Sequence, residues 1–118
     1  TGKYTSNDDF SDKDFRKHNA RFSPENLNHN IRLLTTIEPI AQKYQATMGQ
    51  IALAWLLAQY DKLVPIPGTK KLSYLIENAK AADIVLEEDD VKFLNHLPNE
   101  IQVQGNRYSD EGMKGVNA

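Results

Sequence analysis

Residues Leu63–Asn78 read Leu-Val-Pro-Ile-Pro-Gly-Thr-Lys-Lys-Leu-Ser-Tyr-Leu-Ile-Glu-Asn, and few local structures accept such a stretch. The apolar run 63–66 is too short for a helix and reads as a very short strand. It stops at Pro67-Gly68, crosses a basic turn and enters an amphipathic helix. The spacing of Leu72, Leu75, Ile76 and Ala79 places that helix over Ser73–Ala81. Pro65 has no backbone N–H to give, which argues against a central position in an ordinary sheet. The outcome is a strand–turn–helix corner with Thr69, Lys70, Lys71 and Ser73 beside a helix start. Free N–H groups and the positive end of the helix dipole suit an anion there. A phosphate site and a plain surface turn both satisfy this pattern.

Three more helices frame the corner. Ser23-Pro24-Glu25 is a helix start, because Ser23 can cap, Pro24 suits the first helical position and Glu25 meets the positive dipole end. Leu27, Ile31 and Leu34, with a second row at Leu33, Ile37, Ile40 and Tyr44, form a wide apolar stripe running to about Gln45. Pro39 removes one backbone donor and predicts a kink near Thr35–Glu38. Thr47 and Gln50 form a capping box. Ile51–Leu57 is apolar nearly all round, so the helix Thr47–Tyr60 is expected to be buried on several sides, with Trp55 in the core. A fourth helix, Glu87–His96, turns Val91, Leu94 and Leu97 inward, and its acidic opening complements the dipole.

The two ends read differently. In residues 1–22, Tyr4, Phe10, Phe15 and Phe22 are too far apart to define one face. This part reads as a long loop with one helical turn near Asp12–Lys17, serving either as a lid or as a frayed terminus. Residues 98–118 form an irregular tail carrying Gly105, Arg107, Tyr108, Gly112 and Gly115. The chain opens on Thr1-Gly2-Lys3 rather than methionine, so it is read as trimmed or as a piece of something longer.

Composition excludes several classes. The 118 residues suffice for one modest domain. A net charge of -2 offers no basic field for nucleic acid. With zero cysteines, disulfides and thiolate metal sites are ruled out, which fits a reducing compartment. No apolar run reaches the length of a membrane span, and a soluble cytoplasmic protein is expected. His18, His29 and His96 have no metal-ligand spacing. Neither a nucleophile elbow nor a Walker loop is present. Gln42–Leu57 can be drawn as a helix–turn–helix, but a reading helix needs a polar face, and this one presents Ile51, Leu53, Trp55, Leu56 and Leu57.

Ile66-Pro67-Gly68-Thr69-Lys70, followed by Leu72-Ser73, Leu75 and Glu77-Asn78, resembles the C-terminal cofactor signature of the aldo-keto reductases. Thr1-Gly2-Lys3-Tyr4 resembles the loop after the seventh barrel strand of that family. Gln50–Leu56 resembles the helix before the eighth strand. Asn106-Arg107-Tyr108 with Gly112-Met113 resembles the terminal tail. These stretches are similar to the bacterial and potassium-channel β-subunit-like branches, and the likeness runs end to end in the family's order.

The resemblance implies a (β/α)8 TIM barrel that reduces aldehydes or ketones with NADPH, NADH being possible. A barrel needs about 250 residues, so residues 1–118 would form the C-terminal third of one domain. On its own that third would be mostly α-helical, with one short strand at 63–66. The family's catalytic Asp, Tyr, Lys and His lie on earlier strands. Lys3, Tyr4, Asp8 and His18 fall in other segments, so the piece is expected to be inactive alone. Lys3 would approach the cofactor pyrophosphate, and Gly68 and Thr69 would let the backbone close on the ribose-phosphate. Lys70 and Lys71 would surround the adenosine 2′-phosphate, while Glu77 and Asn78 would face the adenine. Tyr74 stands where the family often has arginine or glutamine; it can stack but carries no charge. The stripes of Leu27–Ile40 and Ile51–Leu57 would cover absent strands, so the isolated chain is expected to self-associate or to pack on its missing part. A helical scaffold that has lost cofactor binding is the alternative.

Overall fold

The helix starts marked by Ser23 and Thr47 fold as their side chains dictate. A computed structural model describes residues 2–116; Thr1, Asn117 and Ala118 lie outside them. Helix α1 spans Pro24–Lys43, and the Ser23 side chain accepts from the Asn26 N–H. Helix α2 spans Met48–Leu57 behind a complete capping box of Thr47 and Gln50. Helix α3 is Leu72–Lys80, α4 is Glu88–Glu100 and α5 is Asp110–Met113. Short 3-10 turns lie at Asn7–Asp9, Phe15–His18, Ala20–Phe22 and Ala81–Asp83. No described helix is long and apolar enough to cross a membrane.

The core is where α1, α2 and α4 meet. Ile40 and Ala41 of α1, Ile51 of α2, and Leu94 and Leu97 of α4 form one buried cluster. Ile51 is 0% exposed. Trp55 packs against this cluster half-buried, and its Nε1–H donates to Asn95 Oδ1 at 2.8 Å. The acidic start of α4 is fastened to the end of α1. Tyr44 donates its hydroxyl to Asp90 Oδ2 at 2.5 Å and accepts the Glu87 N–H at 2.7 Å. Lys43 Nζ lies 2.8 Å from Glu87 and 2.7 Å from Asp90. Just past the Tyr44 cap of α1, Gln45 lies in the left-handed region (φ 50°), and the Ala46 N–H donates to the Ala41 carbonyl. That closure satisfies orphan carbonyls of the last turn.

Several expectations are corrected. No strand forms at 63–66 among the described residues. A strand exists through pairing, Pro65 and Pro67 lack the donors for it, and Val64 and Ile66 stand 80% and 92% exposed with nothing packed over them. Pro39 lies inside α1, and upstream of it the Thr35 and Thr36 hydroxyls both donate to the Arg32 carbonyl. α4 continues to Glu100 with Pro98 in its last turn, and the tail contains α5. Residues 7–22 hold three 3-10 turns rather than one helical turn. Those turns gather Tyr4, Phe10 and Phe22: Phe10 stacks on Tyr4 (centroids 4.6 Å apart) and meets Phe22 edge-on at 5.3 Å. Phe15 stays exposed.

The stripes of α1 and α2 are largely buried or half-buried. The bare apolar surface is instead on α3, where Leu72, Leu75 and Ile76 are 71%, 54% and 48% exposed. α3 faces the body of the protein with Glu77, Asn78 and the following Ala81, so its apolar side points away.

After α4 the chain returns along α1. Asn30 Nδ2 donates to the Gln104 carbonyl at 2.9 Å, and its Oδ1 accepts the Gln104 N–H at 2.8 Å. His29 Nε2 lies 2.9 Å from the Gln102 carbonyl, and Asn19 donates to that of Arg107. Gly105 permits this path, because at φ +84° a Cβ would sit 2.7 Å from the Arg21 backbone.

Two measurements test this packing. Ile51→Ala should cost about 2–5 kcal/mol of unfolding free energy. In the monomer, at low protein concentration, Leu72→Ala should change it by less than about 0.5 kcal/mol, as for exposed surface; a large loss there would mean that the α3 apolar face is covered within the chain. The second concerns pH. Lys43, then Tyr44, hold the Asp90 carboxyl below its ordinary 3.8. A carboxyl depressed by folding stabilises the protein above its unfolded value and loses that contribution as pH falls through the folded one. Burial, then Asp90, raises the Tyr44 phenol above 10.0. Its contribution is complete below the unfolded value and vanishes as pH rises through the folded one. Asp90→Asn should therefore lower the urea midpoint at about pH 7 more than at about pH 3, and an equal loss at both would remove Asp90 from the acid response.

Candidate functional site

The corner at 67–78 is local, and its geometry follows from a few side chains. Thr69 turns the chain into α3: its Oγ1 accepts the Lys71 N–H at 3.4 Å and donates to the Lys71 carbonyl at 3.3 Å. Lys71 is the residue before the helix, in extended backbone, and no side chain caps the N-terminus of α3. The first N–H groups of α3 therefore keep no side-chain cap, and the positive end of the dipole is open. Lys70 and Lys71 are exposed, and neither forms an ion pair among the described residues. Lys71 Nζ lies 5.6 Å from the centroid of the Tyr74 ring, which is 44% exposed. A Cβ at Gly68 would meet nothing within 4 Å, so the backbone there can be approached closely.

Glu77 and Asn78 lie half-buried at the far end of this helix. Glu77 Oε1 accepts the Thr47 hydroxyl at 2.9 Å, and the Glu77 carbonyl accepts Gln50 Nε2 at 3.0 Å. Sequence reasoning found this capping box but did not connect it to Glu77. The signal was the amide at Gln50, whose second half has no duty within the cap.

The structure thus brings Gly68, Thr69, Lys70, Lys71, Tyr74, Glu77 and Asn78 onto one turn and its helix. Lys3 stands elsewhere, on a cavity of about 360 Å³ shared with Tyr4, Arg16, Arg21 and Asn30, and residues 68–78 are not among its lining. Arg16 is committed within that cavity. It donates to Asp14 Oδ2 at 2.6 Å and to the Tyr4 hydroxyl at 3.1 Å. The guanidinium draws the Asp14 carboxyl down to about 2 and lowers the Tyr4 phenol.

The Aldo/keto reductase family profile matches residues 1–98. The chain is 45% identical over 108 residues to aldo-keto reductase yakc [NADP(+)] of Schizosaccharomyces pombe, covering 92% of this chain and 32% of that protein. It is 41% identical over 112 residues to aldo-keto reductase str7 of Strobilurus tenacellus, covering 95% and 33%. Probable aldo-keto reductase 1 of Glycine max is 41% identical over 92 residues, covering 78% and 27%. The chain spans about a third of the length of these fungal and plant relatives. With the profile matched over most of its residues, the chain belongs to the aldo/keto reductase family.

Proposed function

We propose that this chain is the C-terminal third of an NAD(P)H-dependent aldo-keto reductase barrel and supplies the adenosine-phosphate side of its cofactor site. The observation that carries the reading is the uncapped start of α3 beside the unpaired Lys70 and Lys71. A phosphate needs donors and positive charge at short range, and this corner offers both. The residues fit the adenosine end of NADPH: Lys70 and Lys71 toward a 2′-phosphate, open backbone at Gly68 and Thr69, and an exposed Tyr74 ring for stacking. Lys3, on its own cavity, is assigned to the pyrophosphate. The yakc relative carries NADP(+) in its name, which supports NADPH over NADH.

When bound, the cofactor supplies the hydride that reduces an aldehyde or ketone carbon. This chain's own residues bind and orient it, and the proton-donating machinery belongs to the preceding two thirds of the enzyme. The exposed Val64, Ile66, Leu72, Leu75 and Ile76 support a barrel reading, since a strand at 63–66 and the apolar face of α3 would both be covered by that portion. Alone, the chain self-associates through the same residues rather than through α1 and α2. Kinship with the bacterial and potassium-channel β-subunit-like branches rests on the motifs at 1–4, 50–56 and 106–113.

In the complete protein, Lys70→Ala and Lys71→Ala should each weaken NADPH about tenfold, the worth of one charge-assisted hydrogen bond. NADH, which lacks the 2′-phosphate, should be almost unaffected. Tyr74→Arg should tighten NADPH selectively. Quenching of protein fluorescence by each nucleotide measures all three. A complete protein that binds neither nucleotide would leave the helical scaffold as the function.

A further inference from the structure

α3 is not seated by apolar burial. It contains no buried residue, and Leu72, Tyr74, Leu75 and Ile76 are all exposed. Apart from the tightly packed Ala81 just beyond its end, which is 1% exposed, what ties α3 to α2 is polar. The ties run through two side chains, Thr47 and Gln50, and both meet Glu77.

Each side chain of the capping box works twice. Thr47 Oγ1 accepts the Gln50 N–H at 3.2 Å and donates to Glu77 Oε1 at 2.9 Å. Gln50 Oε1 accepts the Thr47 N–H at 2.9 Å, and Nε2 donates to the Glu77 carbonyl at 3.0 Å. A cap by itself needs only an acceptor at this third helical position, and glutamate serves there as well as glutamine. Here the amide N–H₂ is spent on α3. One oxygen of Glu77 is held by Thr47, and no protein donor bonds the other among the described residues. That oxygen is left as an acceptor with a fixed direction.

We propose that Thr47 and Gln50 are positioning residues that hold the Glu77 carboxylate and main chain in register to accept a hydrogen bond from the adenine amino group of the cofactor. This rests on the assignment of Glu77 to the adenine side of the site. The partner is an aminopurine nucleotide, and the role predicts discrimination between purines rather than affinity alone. A ring with a carbonyl in place of the amino group has no proton to give this carboxylate there. A site built around a fixed acceptor rejects such a ring, because its buried or half-buried polar group is left unpaired.

The complete protein provides the test, with NADPH and its hypoxanthine analogue as probes. Gln50→Glu keeps the acceptor of the cap and removes the donor to Glu77. Thr47→Asp keeps the acceptor for Gln50 N–H and sets a carboxylate against Glu77. Both should lower the preference for the adenine nucleotide about tenfold, while Thr47→Ser, which retains the hydroxyl, should keep it. Melting temperature is followed alongside, so that loss of fold is separated from loss of discrimination. Variants that weaken both nucleotides equally, or that keep the full preference, would overturn the positioning role. A wild-type protein that binds NADPH with no purine preference would overturn it too, while leaving the cofactor reading intact. Failure to bind either nucleotide would overturn both.

Discussion

The first turn of α2 carries the rest of the structure. Gln50 and Ile51 are neighbours in sequence and about 100° apart around the helix. Ile51 points into the junction of α1, α2 and α4 and is wholly withdrawn from water. Gln50 points outward to α3. One rigid turn therefore joins the apolar core to the corner assigned to the cofactor. Ile51 and the Gln50 contact to Glu77 thus share one helical turn. The cap matters for the same reason: Thr47 fixes where α2 begins, and that start fixes which side each of these residues faces.

The seating of α3 shows polarity overriding the hydrophobic pattern. Its strongest sequence signal is the stripe of Leu72, Leu75, Ile76 and Ala79, yet Glu77, Asn78 and Ala81 face the body. Apolar burial of a leucine contributes about 1.5–3 kcal/mol, so a free choice would turn the stripe inward. The surface α2 offers to α3 is the outside of its own cap, where Thr47 donates and Gln50 donates. Donors there demand acceptors, and Glu77 supplies them. The apolar side is left for other surroundings, as are Val64 and Ile66 on the extended approach.

What could be read in advance divides by range. Ser23, Thr47 and Gln50 cap within their own turns, so their roles were legible. So was the inward face of α4, since Leu94 and Leu97 follow helical spacing. The aromatic cluster was not: Tyr4, Phe10 and Phe22 have no common period, and three successive 3-10 turns bring them together. The returning tail was equally hidden. Asn30 finds the backbone of Gln104, 74 residues away, and a backbone partner leaves no mark in the side-chain pattern. The strand at 63–66 failed because pairing is a property of two segments, and its prolines weaken one of them. For the candidate site, Lys70 and Lys71 were legible as a basic turn and Tyr74 as part of the helix after it, whereas the cavity joining Lys3 to Arg16 and Arg21 depends on contacts across the fold.

Unpaired charge alone does not single out the corner. Lys62 and Lys80, like Lys70 and Lys71, form no ion pair among the described residues. Helix starts separate them further. Side chains of Ser23, Thr47 and Ser109 occupy the N-termini of α1, α2 and α5. The start of α4 has no side-chain cap either, but Glu87, Glu88, Asp89 and Asp90 surround it and repel an anion. Only at α3, among the described helices, does an uncapped start meet cations rather than carboxylates. The dipole and the two lysines act in the same direction there, and each strengthens the case that the other is not incidental. Tyr74 adds a ring without a charge, so in the proposed reading the pull on a 2′-phosphate falls to Lys70 and Lys71. A reductase with this corner would therefore hold its cofactor's 2′-phosphate by point charges rather than by a guanidinium fork, and its grip on NADPH would weaken steeply with salt.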